Sequence, residues 1–215
     1  KIFAISKTSQ KRVKKYYDRD SLVIYPGVEI KKFKTGKYGD YILSVARLVS
    51  TKRVDVLAKS MSYVKDKKVK LYIVGDGNEK EKIKEIAEKN SNIKLISYVS
   101  DEELMDLYSN CLATAYIPLN EDFGFVPVEA GTSGKATIGV DEGGLRETIV
   151  DRKTGFLIKK VTPQNIAKKI DYFINNKNLA KKMGKNAKEY VKKFDWEIIL
   201  KQFDNNLREV IKKIR

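Results

Sequence analysis

A parallel α/β sheet covered by helices on both faces is the fold class that this sequence predicts, and three observations predict it. Short runs rich in β-branched and aromatic residues recur from Ile2 to Ile158. Between them lie longer stretches whose apolar residues fall three and four apart, the period of a helix with one buried face. The loops joining the two kinds of segment are short, and strands that alternate with helices in this way run parallel in a sheet buried on both sides.

The runs place strands near Ile2–Ile5, Leu22–Tyr25, Tyr41–Ala46, Lys70–Val74, Ile93–Ser97, Leu112–Ile117, Ala136–Ile138 and Gly155–Ile158. VDVLAKSMSYV, EKEKIKEIAEK, DEELMDLYSN and the segment Val126–Gly131 carry the helical period. From Pro163 onward the pattern is helical only, in PQNIAKKIDYFIN, NLAKKMGKNAKEYVKKF and DWEIILKQFDNNLREVIKK, with Asp195 placed to cap the last. Ile198, Ile199, Phe203, Leu207, Val210 and Ile214 form the apolar stripe of that helix. A basic amphipathic helix can lie on a membrane, but packing on its own domain is the commoner outcome and is expected here. No Pro-, Gly- or Ser-rich linker divides residues 1–215, so they read as one domain, with 163–215 its C-terminal helices.

The 215 residues carry 44 Lys and Arg against 28 Asp and Glu, a net charge of +16. That balance favours anionic partners: phosphates, acidic lipid headgroups or nucleic acid. Abundant lysine is also what a plain solvated or heat-adapted surface shows. The absence of histidine and the single cysteine exclude disulfides, the usual zinc sites and any imidazole-based catalytic triad. Cys111, on the approach to a strand, reads as a small core residue. No apolar run reaches the roughly 20 residues that span a bilayer and the start lacks a signal-peptide core, so a cytoplasmic setting is expected. KIFAIS reads as a strand already under way, so a longer parent chain is expected too.

Ligands of open parallel sheets collect at the carboxyl ends of the strands, which makes the loops leaving them the place to look for chemistry. VGDG, containing Gly75, follows one strand; its glycines allow close backbone approach, although such a stretch is also an ordinary tight turn. ARLVSTKR leaves another and puts Arg47 and Lys52 beside the same crevice. A planar fork and a point charge together suit a diphosphate; the plain alternative is two solvated charges. EDFGFVPVEAGTSGK sets Glu121 in a loop and Glu129 inside a helix, with the N–H groups of Phe123, Gly124, Phe125 and Val126 around the helix start. Two carboxylates so spaced could accept hydrogen bonds from a polyol at two places. Glu129 is otherwise an exposed helical glutamate, though its apolar neighbours favour a half-buried one. In DEGGLRETIV, Gly143 and Gly144 precede a helix carrying Glu147.

In order and spacing, VIYPGVE, SVARL with Lys52, VGDG, SYVSDEELMDLYSN, the E-x7-E pair, GGLRE and TGFLI resemble the C-terminal half of a family 4 retaining glycosyltransferase with the GT-B fold, over roughly residues 20 to 160. The resemblance implies a Rossmann-like domain that takes a nucleotide diphosphate sugar as donor, with no metal and no other cofactor. It implies that Arg47 and Lys52 hold the diphosphate, that Glu129 accepts from the ribose hydroxyls, and that Glu121 with the amides of Phe123 and Gly124 faces the transferred sugar. The amides of Phe125 and Val126 would add to the phosphate site, and the base would lie near Tyr98 and Val99. Ala46, Arg53 and Tyr98 stand where the family commonly has glycine, which bears on the shape of the base pocket. The acceptor, a sugar or a lipid-linked one, would be bound by a preceding half whose end is residues 1–20, so this chain alone would bind donor without useful turnover. The charge also suits peripheral contact with an anionic membrane. A sugar-nucleotide epimerase of the same fold is the nearest rival. A nucleic-acid-binding module has only the charge in its favour, with no RNP-like, GXXG or zinc signature, so no nucleic-acid partner is expected.

Overall fold

The computed structural model describes residues 1–214, the side chains of 213 and 214 excepted. Eight strands form: β1 (Ile2–Ala4), β2 (Ser21–Val23), β3 (Tyr41–Val45), β4 (Lys70–Val74), β5 (Ile93–Ile96), β6 (Ala113–Ala115), β7 (Thr137–Val140) and β8 (Gly155–Ile158). The last six make one parallel sheet in the order β5-β4-β3-β6-β7-β8. The expected α/β sheet is therefore present. Its strands read as continuous apolar runs because both faces are covered: Ile42, Leu43, Leu71, Ile73, Ala113 and Ile138 are all fully buried. The order reverses direction between β3 and β6, so the loops leaving those two strands diverge and open a crevice.

The first two predicted strands exist but stand apart, paired only with each other in a small parallel sheet. They flank α1 (Lys7–Tyr17), capped by Ser6 and without a single buried residue. Its apolar positions are few, Val13, Tyr16 and Tyr17, and the two tyrosines are exposed, so this helix was not among those expected.

The remaining helices are α2 (Val54–Ser60), α3 (Lys80–Glu88), α4 (Asp101–Asn110), α5 (Phe125–Thr132), α6 (Leu145–Thr148), α7 (Pro163–Asn175), α8 (Lys177–Val191) and α9 (Trp196–Ile214). Three of the starts have a clear local cause. Ser100 and Glu103 form a reciprocal capping box on α4. Thr162 caps α7, whose first residue is Pro163. Asp195 accepts from the N–H of Glu197 at 2.8 Å, the expected cap of α9. Cys111 is buried at the end of α4, donates to the Tyr108 carbonyl, and has its thiol pushed up to about 12 by burial, as suits a core residue.

Packing of α9 departs from expectation. Ile199 is 3% exposed, but Ile198, Phe203 and Leu207 are 37–42% exposed, and Val210 is half-buried. The helix leans on the outlying sheet, Phe203 meeting Phe3 edge-on at 5.5 Å, and its first turn on the segment 27–31, where Glu197 pairs with Lys31 at 2.7 Å. The stripe shows an apolar face; it does not say how much of it the domain covers. Among the described residues no helix is long and apolar enough to cross a membrane.

Candidate functional site at the crossing of β3 and β6

Gly75 and Gly77 set the exit of β3. A Cβ at Gly75 would lie 1.9 Å from the Ala46 carbonyl oxygen, and one at Gly77 would lie 2.4 Å from that of Leu48. With Leu48 N–H donating to the Asp76 carbonyl at 2.8 Å, the turn after β4 is laced onto the segment that carries Arg47. The glycines thus serve close backbone packing, and α3 begins only at Lys80. Arg47 is exposed and makes no side-chain hydrogen bond or ion pair among the described residues.

Lys52 ends a 3-10 turn, Ser50–Lys52, and points back into the crevice. Its ammonium lies 2.5 Å from Oε2 of Glu121 and 2.9 Å from the Tyr116 hydroxyl, which itself donates to Glu121 at 2.8 Å. Tyr116, the residue after β6, is 6% exposed. Burial and the adjacent Glu121 carboxylate hold its phenol far above the ordinary value, so it stays a neutral donor; Glu129 also raises it and Arg47 lowers it. Lys52 and Glu121 thus meet at one tyrosine, whose charge Arg47 and Glu129 also influence.

Glu129 is half-buried, the second of the two readings its neighbours left open. Burial raises its carboxyl above the usual carboxylate range, against a lowering hydrogen bond from the Tyr108 hydroxyl at 2.7 Å. No cation pairs with it among the described residues. A carboxylate in this state is a ready acceptor for hydroxyl donors.

Between the two acids α5 begins. Gly124, at φ 92°, caps it without any side-chain hydrogen bond. Phe123 is buried against Tyr25 and Phe194, whereas Phe125 is 46% exposed at the mouth. The N–H groups of Phe123, Gly124, Phe125 and Val126 find no acceptor among the described residues, and the helix dipole adds to their positive potential. The loop after β7 closes over this segment. Gly144 N–H donates to the Glu121 carbonyl at 2.7 Å, and a Cβ at Gly143 would meet that same oxygen at 2.4 Å. The expected helix carrying Glu147 is the four-residue α6.

Tyr98 and Val99 lie to one side, on a cleft of ≈540 Å³ between β5 and α4 that Lys94, Glu102 and Leu107 also line. Tyr98 is 85% exposed. This cleft and the acid pair meet through α4, whose Tyr108 reaches Glu129. Tyr116 and Tyr108 were missed at the sequence level, because an aromatic in a strand or on an apolar helix face reads as core; their hydroxyl contacts are what set them apart. Among the described residues no three His, Cys, Asp or Glu side chains come together as a metal site.

Comparison with known proteins adds a second line. The profile of a family described as "Glycosyl transferases group 1" matches residues 27–190. An uncharacterized glycosyltransferase of Methanocaldococcus jannaschii, MJ1178, is 33% identical over 200 residues, covering 92% of this chain and 56% of that protein. The alpha-1,3/1,6-mannosyltransferase ALG2 of Dictyostelium discoideum is 38% identical over 136 residues, 63% of this chain and 31% of its own length. Among solved structures, Anabaena HepE in complex with UDP superposes with a TM-score of 0.88 at 23% identity, covering 96% of this chain and 63% of that one. Staphylococcus aureus TarM, in a complex containing UDP, gives 0.83 at 25% identity, with 94% and 43% covered. The chain thus spans about half the length of the relatives it matches.

Proposed function

Because the chain belongs to the glycosyl transferases group 1 family, we propose that its crevice binds a nucleotide diphosphate sugar and that the protein containing it transfers the sugar to an acceptor with retention. The observation that supports this reading most is the set of unpartnered amides at the start of α5, flanked by Lys52 and Glu121 on one side and Glu129 on the other. Anion donors and polyol acceptors stand side by side, which is what a sugar joined to a diphosphate requires.

Each residue then has a task. Arg47 is the free cation and Lys52 the tethered one at the diphosphate. The α5 amides share its charge. Glu129 accepts from the ribose, Glu121 from the transferred sugar, and Tyr98 with Val99 borders the base. Breaking the bond between the anomeric carbon and the phosphate oxygen leaves positive charge on the sugar and negative charge on the diphosphate. Fixed cations and amides at the phosphate stabilise that separation. The leaving phosphate oxygen takes the acceptor hydroxyl's proton as the new bond forms on the same face, so no histidine base is needed. The acceptor, a sugar or a lipid-linked one, belongs to the portion of the relatives' length outside this chain, and the charge of +16 suits an anionic membrane nearby.

A thermal-shift panel of UDP-, GDP- and ADP-linked sugars tests the reading, since a ligand of the native state raises the melting temperature. One of them is expected to stabilise the chain, and Arg47→Ala and Glu129→Gln each to abolish the shift. If no nucleotide sugar shifts the melt, or both variants keep the shift, the reading fails. Turnover by the 215-residue chain supplied with acceptor would refute the separate placement of the acceptor.

A further inference from the structure

Arg53 adopts φ 51°, ψ 31°, a left-handed conformation that a residue with a side chain seldom occupies and that glycine takes freely. Its side chain is committed elsewhere. The Nε–H donates to the Ile117 carbonyl at 2.7 Å, Nη2 to the Pro118 carbonyl at 2.5 Å, and the same Nη2 to the carboxylate of Glu142. One planar fork thereby joins three chain segments: the turn ending in Lys52, the exit of β6 leading to Glu121, and the loop of Gly143 and Gly144 that hydrogen-bonds to the Glu121 backbone. A backbone bond from Leu119 N–H to the Thr51 carbonyl at 2.7 Å runs parallel to it. The Arg53 guanidinium makes no hydrogen bond or ion pair with Lys52, Tyr116, Glu121 or Glu129, so it is assigned no binding role itself.

We propose that Arg53 is a positioning residue that fixes where the Glu121 carboxylate stands relative to the start of α5, and so governs how tightly the sugar of the donor is held, as distinct from its diphosphate. This rests on the donor reading above. The separation of effects follows from the geometry. Lys52 sits on the backbone turn that Arg53 closes through its own N–H to the Ser50 carbonyl, a contact any residue in that conformation keeps. The guanidinium is the side-chain tie that joins the exit of β6 to the Glu142 loop, added to the backbone bonds from Leu119 to Thr51 and from Gly144 to Glu121.

The test compares wild type with Arg53→Gly, which retains the left-handed backbone and loses the fork, and Arg53→Lys, which retains a charge for Glu142 but cannot reach both carbonyls and the carboxylate together. Calorimetric affinities are measured for UDP-, GDP- and ADP-linked hexoses and for each parent diphosphate. The ratio of sugar-nucleotide to diphosphate affinity is expected to fall about tenfold in Arg53→Gly, with diphosphate affinity nearly unchanged and Arg53→Lys in between. Hydrogen exchange across residues 117–121 is expected to rise in the unliganded Arg53→Gly chain. An unchanged ratio in both variants overturns the proposal. So does equal weakening of diphosphate and sugar nucleotide, which is what a merely structural role would give. Wild type that binds none of the nucleotides defeats the donor reading and the positioning role with it, whereas faster exchange at 117–121 would still show that the brace holds the loop.

Discussion

Lys52 and Glu121 are paired at 2.5 Å in the unliganded chain, with the Tyr116 hydroxyl bridging them. Both side chains are about four-fifths buried, so the pair is poorly screened and each charge is partly spent on the other. A diphosphate arriving at Lys52 must compete with Glu121. Neutralising that competitor frees the ammonium. Glu121→Gln is expected to tighten binding of a bare nucleoside diphosphate by roughly 1 kcal/mol, about fivefold, while weakening the sugar nucleotide. Calorimetry with the two ligands checks it; loss of both affinities together would show that Glu121 serves only to hold the loop.

Glu129 trades stability for a binding group. Burial raises its carboxyl, so wherever it is ionised the folded chain bears a desolvation cost that the unfolded chain does not. As pH falls through the raised value, the folded chain takes up the proton first and the cost lifts. Glu129→Gln keeps an acceptor for the Tyr108 hydroxyl and removes the charge. It is expected to melt above wild type at pH 7, with the advantage shrinking in acid. Melting curves of both proteins over the acid range check this, and a variant less stable than wild type at pH 7 would contradict it.

How much of this was legible in the sequence differs by residue for physical reasons. The six-stranded sheet was, because β3, β4 and β7 are buried on both faces and carry little but apolar side chains. The cap at Asp195 was readable from residue type and spacing. Helix α1 was not: it is held by polar contacts, Arg12 to Asp122 and to the Asn120 carbonyl at 3.1 Å, and only Val13, Tyr16 and Tyr17 mark a period that buries nothing. Arg53 could be seen to stand in an unusual place, but its fork on Ile117 and Pro118 joins positions more than 60 apart and appears only once the chain is folded. Arg47 and Lys52 were expected to act together at one site; Lys52 is tied to Glu121 and Tyr116, while Arg47 has no side-chain partner among the described residues.

Lys135 is buried with its ammonium 2.6 Å from the Lys37 carbonyl oxygen and 3.6 Å from the centre of the Tyr38 ring. Burial lowers it from 10.5 to about 8, and raises both titratable groups beside it, the Cys111 thiol to about 12 and the Tyr38 phenol above its ordinary value. Below pH 8 the folded chain carries the full cost of a buried cation. Between 8 and 10.5 the unfolded chain binds a proton that the folded chain does not, so stability climbs with pH across that window. The rise is expected to be about 3 kcal/mol, the fall from 10.5 to about 8 taken at about 1.4 kcal/mol per pH unit. Lys135→Met should flatten it in urea unfolding measured from pH 7 to 10.5; an unaltered slope would assign the rise to another group.

Glu147 ties α1 to the body of the domain. Its carboxylate accepts from the N–H groups of Lys7 and Thr8 at 2.9 and 3.0 Å, from the Thr8 hydroxyl and from the Tyr25 hydroxyl at 3.0 Å. Two otherwise unpaired amides of the first turn are thus satisfied by a negative charge placed at the positive end of the helix. Arg12, one turn further on, grips Asp122, the neighbour of Glu121, so the order of α1 and that of the site loop are linked. Glu147→Gln leaves a neutral acceptor, and Glu147→Ala leaves none. The alanine variant is expected to lose about 2 kcal/mol of α1 opening free energy and the glutamine variant about half as much. Hydrogen exchange of residues 7–17 reads both directly. Faster exchange confined to α1 would mean that the helix and the site loop move independently; exchange rising at 120–122 as well is the outcome the Arg12 contact requires.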